Sequence, residues 1–98
     1  MNQVFETAPF SEFYLTLEKN EQEFIENVKD KLVENLNIGK PLKFYWLREK
    51  RYENKRLYYI INIKTNHALL IAFGNKKEQQ KLIDHIINNK ETYLSFIN

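Results

Sequence analysis

The 98-residue chain contains no cysteine, two glycines and two prolines. Without cysteine there is no disulfide framework, no thiolate metal site and no cysteine nucleophile, and two isolated histidines are too few for a histidine-built metal centre. The scarcity of glycine and proline argues against a fibrous or loop-dominated chain. No apolar run approaches the ~20 residues that a membrane span requires. The opening residues, 1–6, hold no basic stretch followed by an apolar one, so no classical export signal is read there. The expectation is a soluble cytoplasmic protein with no membrane partner.

What the chain does have is core material: 43% of its residues are apolar, with seven Phe, six Tyr and one Trp. Its length suits one domain over residues 1–98, too short for two cores and long enough for one without cross-links. The formal charge of +2 is unevenly divided. Residues 1–38 carry −5 and residues 39–98 carry +7, with seven bases between Lys40 and Arg56 against Glu49 and Glu53 alone. Such polarity turns one surface toward polyanions and the other away from them.

Hydrophobic spacing gives the order of elements. Val4 and Phe5 mark a short edge strand over 2–6. Ser11 caps a helix reaching Lys19, and Asn20 with Glu23 makes a capping-box-like start for a longer one. Its apolar face is Phe24, Ile25, Val28, Leu32 and Leu36, and Gly39-Lys40-Pro41 stops it. Three strands follow, over 44–51, 56–64 and 68–73, with turns at Tyr52–Lys55 and Thr65-Asn66, His67 lying exposed in the second. In the middle strand Leu57, Tyr59, Ile61 and Ile63 share one face and Arg56, Tyr58, Ile60 and Asn62 the other, one face packing on helices. A last helix carries Leu82, Ile83, Ile86 and Ile87 and continues toward Leu94 and Ile97. The predicted fold is α+β, in the order β-α-α-β-β-β-α, an antiparallel sheet packed against helices.

Two groups of residues carry candidate chemistry. Arg48 and Lys50 on one strand, with Arg56 and Tyr58 on the next, are expected to converge on a shared concavity suited to a polyanion. Gripping a phosphodiester takes fixed positive charge around its non-bridging oxygens, and arginine offers two parallel donors matched to phosphate. Arg51 and Lys55 add charge nearby, and Trp46, Tyr52 and Tyr58 are candidates to stack on unpaired bases. The plainer alternative is a solvated sheet face whose bases neutralise Glu49 and Glu53. The second group is the strand–turn–helix entrance around Gly74, Asn75, Lys76 and Lys77, which gathers backbone N–H groups and ammonium groups around an anion or simply caps a helix. It is not a Walker loop. His67 and His85 lack the spacing of a catalytic triad. Glu23, Glu26, Asp30 and Glu34 recur at helical spacing and read as a solvated face, so no metal is expected.

The run Trp46-Leu-Arg-Glu-Lys-Arg51, then Lys55-Arg-Leu-Tyr-Tyr59, then Leu69-Leu-Ile-Ala-Phe-Gly-Asn-Lys-Lys-Glu-Gln-Gln80, resembles the RelE/ParE superfamily of type II toxin–antitoxin toxins. The likeness spans nearly the whole chain and rests on the order of these segments rather than on any single motif. It implies a compact toxin, similar to ribosome-dependent messenger-RNA endonucleases, that is neutralised by a cognate antitoxin. The reaction implied is attack of a ribose 2′-hydroxyl on the adjacent phosphate, without metal or small-molecule cofactor, with the ribosome and messenger RNA as partners. By that analogy Arg56 stabilises the pentacoordinate phosphate, Arg48 or Lys50 aids deprotonation or charge neutralisation, and Lys77 clamps the backbone. Arg51, Tyr52, Lys55, Tyr58 and Lys76 contact RNA. The family's tyrosine early in the last helix is absent, since Lys81-Leu-Ile-Asp84 stands there, and His85 is its candidate substitute. The same resemblance admits a ParE-like toxin that inhibits DNA gyrase, or a family member without catalysis that only binds its antitoxin.

Overall fold

The computed structural model describes all 98 residues. The chain runs β1 (Gln3–Glu6), α1 (Ala8–Tyr14), α2 (Lys19–Glu34), β2 (Lys40–Leu42), β3 (Phe44–Tyr52), β4 (Lys55–Asn62), β5 (His67–Asn75), a 3₁₀ turn (Lys76–Glu78), α3 (Gln79–Asn88) and α4 (Lys90–Leu94). No helix is long and apolar enough to cross a membrane. The predicted β3–β4–β5 meander is antiparallel, and its five-stranded sheet has the order β1-β5-β4-β3-β2. One strand and one pairing escape the sequence pattern. β2 is a three-residue strand on one edge, and β1 joins the other edge parallel to β5, which makes the sheet mixed.

The helices start where side chains satisfy their free N–H groups, at sites other than those expected. Thr7 Oγ1 accepts from the Phe10 N–H at 3.2 Å, with Pro9 in the first turn, so α1 begins before Ser11 and ends at Tyr14. At α2 the Glu18 N–H donates to Glu21 Oε1 at 3.3 Å, two residues ahead of the Asn20–Glu23 pair. Asn20 donates instead to the Tyr52 hydroxyl at 2.8 Å.

Both faces of the sheet are covered, where the sequence assigned helices to one. β4 is the middle strand, and Arg56 to Ile61 are six consecutive buried residues. Leu57, Tyr59 and Ile61 pack with Ile25, Val28 and Leu32 of α2 and with Phe10 of α1. Tyr58 and Ile60 face the other way, onto Leu69, Ile83, Ile86 and Ile97. A bulge at Ile71 lets Tyr58 pair with Ala72 and Tyr59 with Leu70. The C-terminal helix breaks at Asn89 rather than running on, and Ile97 is held by its carbonyl, which accepts from Thr65 Oγ1 and meets His67 Nδ1, each at 2.8 Å. His67 thus lies in β5, half-buried, with its ring edge-on to Phe5, and not in an exposed turn.

Lys55 ties β4 to α2 through an ion pair with the buried Glu21 carboxylate. That hydrogen bond holds the Glu21 carboxyl below its usual range, against the opposing pull of burial. A lowered folded-state value means that the pair stabilises the fold above the carboxyl's ordinary pKa of 4.5 and is lost as pH falls through the lower one. Glu21→Gln is therefore less stable than the parent at neutral pH, and the gap closes as pH falls below 4.5. Melting temperature followed by circular dichroism across pH checks this; a gap independent of pH would refute it.

Candidate functional site

The turn between β3 and β4 decides which side chains meet. Glu53 and Asn54 form a two-residue hairpin loop with Glu53 at φ 53°, so Tyr52 pairs with Lys55 and Arg51 with Arg56. Alternation along each strand then places Glu49 opposite Tyr58, on the face of Arg56, and places Arg48 opposite Tyr59 and Lys50 opposite Leu57 on the α2 face. The expected convergence of Arg48 and Lys50 with Arg56 and Tyr58 on one face does not occur. Arg56 meets Arg51 and Glu49.

Around these residues lies an open groove of about 440 Å³, bordered by Gly39, Lys40, Glu49, Lys50, Arg51 and Arg56, with no apolar residue among them. Lys50 takes its place there at the sheet edge, beyond the point where β2 begins to pair with Glu49. Arg56 is 8% exposed, not the free surface residue the sequence suggested. Its Nη1 donates to the carbonyls of Lys55 at 3.1 Å and Glu53 at 3.5 Å, its Nε lies 3.7 Å from Glu49 Oε2, and Nη2 is used by none of these contacts. Arg51 is exposed and donates only to the Glu53 carbonyl, at 3.1 Å. Gln79, at the start of α3, donates to Glu49 Oε2 at 3.5 Å. A guanidinium with a free edge, a second beside it and a recessed carboxylate can hold a phosphodiester and take a proton from a neighbouring hydroxyl.

The other predicted site residues are placed as follows. Arg48 is buried and points away from the groove: Nε donates to the Ile38 carbonyl at 2.9 Å, Nη1 to Tyr45 at 3.0 Å, and Nη2 to Asn37 at 2.9 Å and Gly39 at 3.0 Å. Lys55 is engaged by Glu21 on the α2 face. Tyr52 packs there too, its ring 4.8 Å from Phe24. Tyr58 is fully buried, and its hydroxyl has no hydrogen-bond partner. Burial pushes that hydroxyl up to about 12, Glu49 adding to the rise and Arg56 opposing it. Trp46 lies between the stacked Phe44 ring, 5.3 Å away, and the Lys90 ammonium, 4.8 Å from its ring. None of the three aromatic candidates offers an open ring face to the groove. Lys76 and Lys77 are exposed on the 3₁₀ turn, which the Lys76 N–H ties to the Asn54 carbonyl at 3.4 Å, at the same end of the sheet as Arg51. His85 is exposed on α3 and packs edge-on to Tyr93. No group of three or more His, Cys, Asp or Glu side chains gathers in a metal-holding arrangement.

Glu49, Gln79 and Gly39 were not singled out from the sequence. Glu49 was within reach, because a turn centred on Glu53-Asn54 sets Arg51 opposite Arg56 and so Glu49 beside it. Gly39 has φ +82°, and a Cβ there would stand 2.1 Å from the Tyr59 hydroxyl and 2.7 Å from the Glu49 carbonyl oxygen. That hydroxyl donates to the Ile38 carbonyl at 2.8 Å, and burial pushes it up to about 12.

Among known proteins, no family model matches the chain and no curated protein does. Two solved structures share its fold. The isolated RelE toxin of E. coli superposes with a TM-score of 0.67 at 12% identity, covering 88% of this chain and 99% of that one. A double arginine-to-alanine mutant of the same toxin, in complex with a peptide of the antitoxin RelBc, gives 0.66 at 12% identity over 83% of this chain and 93% of that one. The chain has the RelE fold.

The two arginines nearest in sequence to the groove should respond differently to truncation. Arg48→Ala strands four carbonyls and is expected to cost about 2–4 kcal/mol, whereas Arg51→Ala should change stability by less than about 0.5 kcal/mol. Urea unfolding of both variants measures this, and equal losses would contradict the assignment of Arg48 to the loop.

Proposed function

We propose that this chain is the toxin of a type II toxin–antitoxin module, acting in the cytoplasm as a ribosome-dependent endonuclease of messenger RNA. The observation that carries this reading is an open cationic groove, built around Arg56 with one carboxylate at its floor, on a chain with the RelE fold. The reaction is attack of a ribose 2′-hydroxyl on the neighbouring phosphate, with no metal or cofactor: a 2′,3′-cyclic phosphate forms as the bond to the 5′ oxygen breaks, and that oxygen leaves as a hydroxyl with a proton from solvent. Arg56, through its free Nη2, and Arg51 neutralise the non-bridging oxygens as charge develops there. Glu49 is the group in the groove able to take the hydroxyl proton, and Lys50 and Lys40 add positive charge at the rim. Lys77 and Lys76 hold the RNA backbone beyond the groove.

The partner is a cognate antitoxin. In support, one of the two RelE structures with this fold is a complex with an antitoxin peptide. An apolar groove of about 460 Å³, lined by Phe5, Leu69, Ile71, Tyr93 and Phe96 among others, leaves Phe5 and Phe96 open to solvent.

Primer extension on a reporter message in a translating extract tests the reading. New 5′ ends inside codons are expected only while ribosomes translate. Arg56→Lys keeps the charge but loses the fork, and should reduce cleavage by about 100-fold, with a smaller loss for Lys77→Ala. Intact message with arrested growth would instead assign a protein target, as in a gyrase-poisoning ParE-like toxin. Intact message with normal growth would leave a member that only binds its antitoxin.

A further inference from the structure

Glu49, at the groove, has an unmatched neighbour in the core. Tyr58 is the cross-strand partner of Glu49, and its fully buried hydroxyl is the one buried side-chain polar atom without a hydrogen bond. Opposite it, both contacts that reach the Glu49 carboxylate, from Arg56 Nε at 3.7 Å and Gln79 Nε2 at 3.5 Å, converge on Oε2, so Oε1 takes part in neither. Glu49 and Tyr58 are thus neighbours on one face of the sheet, a donor without a partner beside a carboxylate with an oxygen to spare, and the Glu49 charge acts on the hydroxyl. Buried hydroxyls are almost always bonded, and an exception calls for a second state in which the bond forms. The Glu49–Arg56 contact is itself too long for a good hydrogen bond, so an anion that offers Arg56 a shorter, bidentate contact would draw it away.

We propose that Tyr58 is a positioning residue for Glu49: when a phosphodiester occupies Arg56, the Tyr58 hydroxyl donates to the carboxylate that Arg56 has left. The exchange keeps Glu49 fixed beside the bound phosphate. This inference rests on the proposed reading of the groove as a phosphodiester site. It adds a role for a side chain that touches no substrate atom.

The exchange predicts opposite effects of one substitution in two states. Tyr58→Phe removes a hydroxyl that has no partner in the free protein, so the free variant should melt no lower than the parent. Binding of a 2′-O-methyl RNA trinucleotide, which cannot be cleaved, should weaken about tenfold, because the carboxylate released by Arg56 then keeps only the long contact from Gln79. A second substitution separates this from a packing effect. In a Glu49→Ala background there is no carboxylate for the hydroxyl to hold, so adding Tyr58→Phe should weaken binding no further.

Fluorescence anisotropy with the labelled trinucleotide, on the parent, Tyr58→Phe, Arg56→Lys, Glu49→Ala and the Glu49→Ala, Tyr58→Phe double variant, reads all of this. Weaker binding for Tyr58→Phe and Arg56→Lys, with unchanged melting for Tyr58→Phe and no further loss in the double variant, supports the exchange. Parent-like binding by Tyr58→Phe, with Arg56→Lys impaired, overturns it while the groove reading stands. A lower melting temperature for Tyr58→Phe also overturns it, since the hydroxyl is then already bonded in the free protein. Parent-like binding by Arg56→Lys removes both the exchange and the groove reading.

Discussion

Four backbone carbonyls converge on a single guanidinium, and the geometry of the groove depends on that clamp. Arg48 reaches back from β3 to hold Asn37, Ile38 and Gly39, with Tyr45 on its own strand, while Tyr59 of β4 holds Ile38 from beneath. The segment between α2 and β2 has no regular hydrogen bonding of its own, so its carbonyls would otherwise be unpaired against the sheet. Fixing it sets Gly39 and Lys40 as one wall of the cleft and starts β2 in register with Glu49. An arginine suits the task because five donors in a rigid fork can satisfy several carbonyls at once. The most deeply engaged cation in the basic half of the chain is therefore architectural, and its burial leaves the neighbouring cations free.

The central strand explains why the site lies at one end of the sheet. From Leu57 to Ile61 every side chain of β4 is apolar or aromatic and is covered on its own face by helices. At Arg56 the covering stops, because α3 begins only at Gln79 after the 3₁₀ turn, and polar groups replace the apolar layer there. A charged residue just past the end of a doubly covered strand sits half in low dielectric, where its interaction with an anion is stronger than on an open surface. Neighbouring Arg51, on the edge of that environment, keeps its mobility and reach.

Much of the architecture was legible in the sequence, because periodicity reports burial directly. The apolar stripe of α2 at Ile25, Val28 and Leu32 and the two faces of β4 as far as Ile61 are as the spacing required, whereas β4 ends at Asn62 and Ile63, expected on its apolar face, lies exposed in the turn beyond. Helix starts were misplaced because several capping residues compete within a few positions, and tertiary contacts chose Thr7 and Glu18-Glu21. β2 is too short to carry a period, and β1's parallel pairing depends on a crossover that no local pattern encodes. The candidate site was half legible. Charge density pointed to the hairpin that borders the groove, but Arg48 and Arg56 look alike in a sequence, and only cross-strand register separates the one bound by carbonyls from the one facing the groove.

Gly39 sits where the clamp, the central strand and the groove meet, with a left-handed backbone and no room for a Cβ. Every single-base missense change in a glycine codon installs a Cβ, so this codon has no mild neighbour. Mutation at this position is all or none, unlike an exposed lysine that can drift through tolerated alternatives. In a population that gains by silencing the gene, loss-of-function alleles would gather at a residue that contributes no side chain to the chemistry. Genetic mapping of the site would then light up its scaffold before its reactive groups.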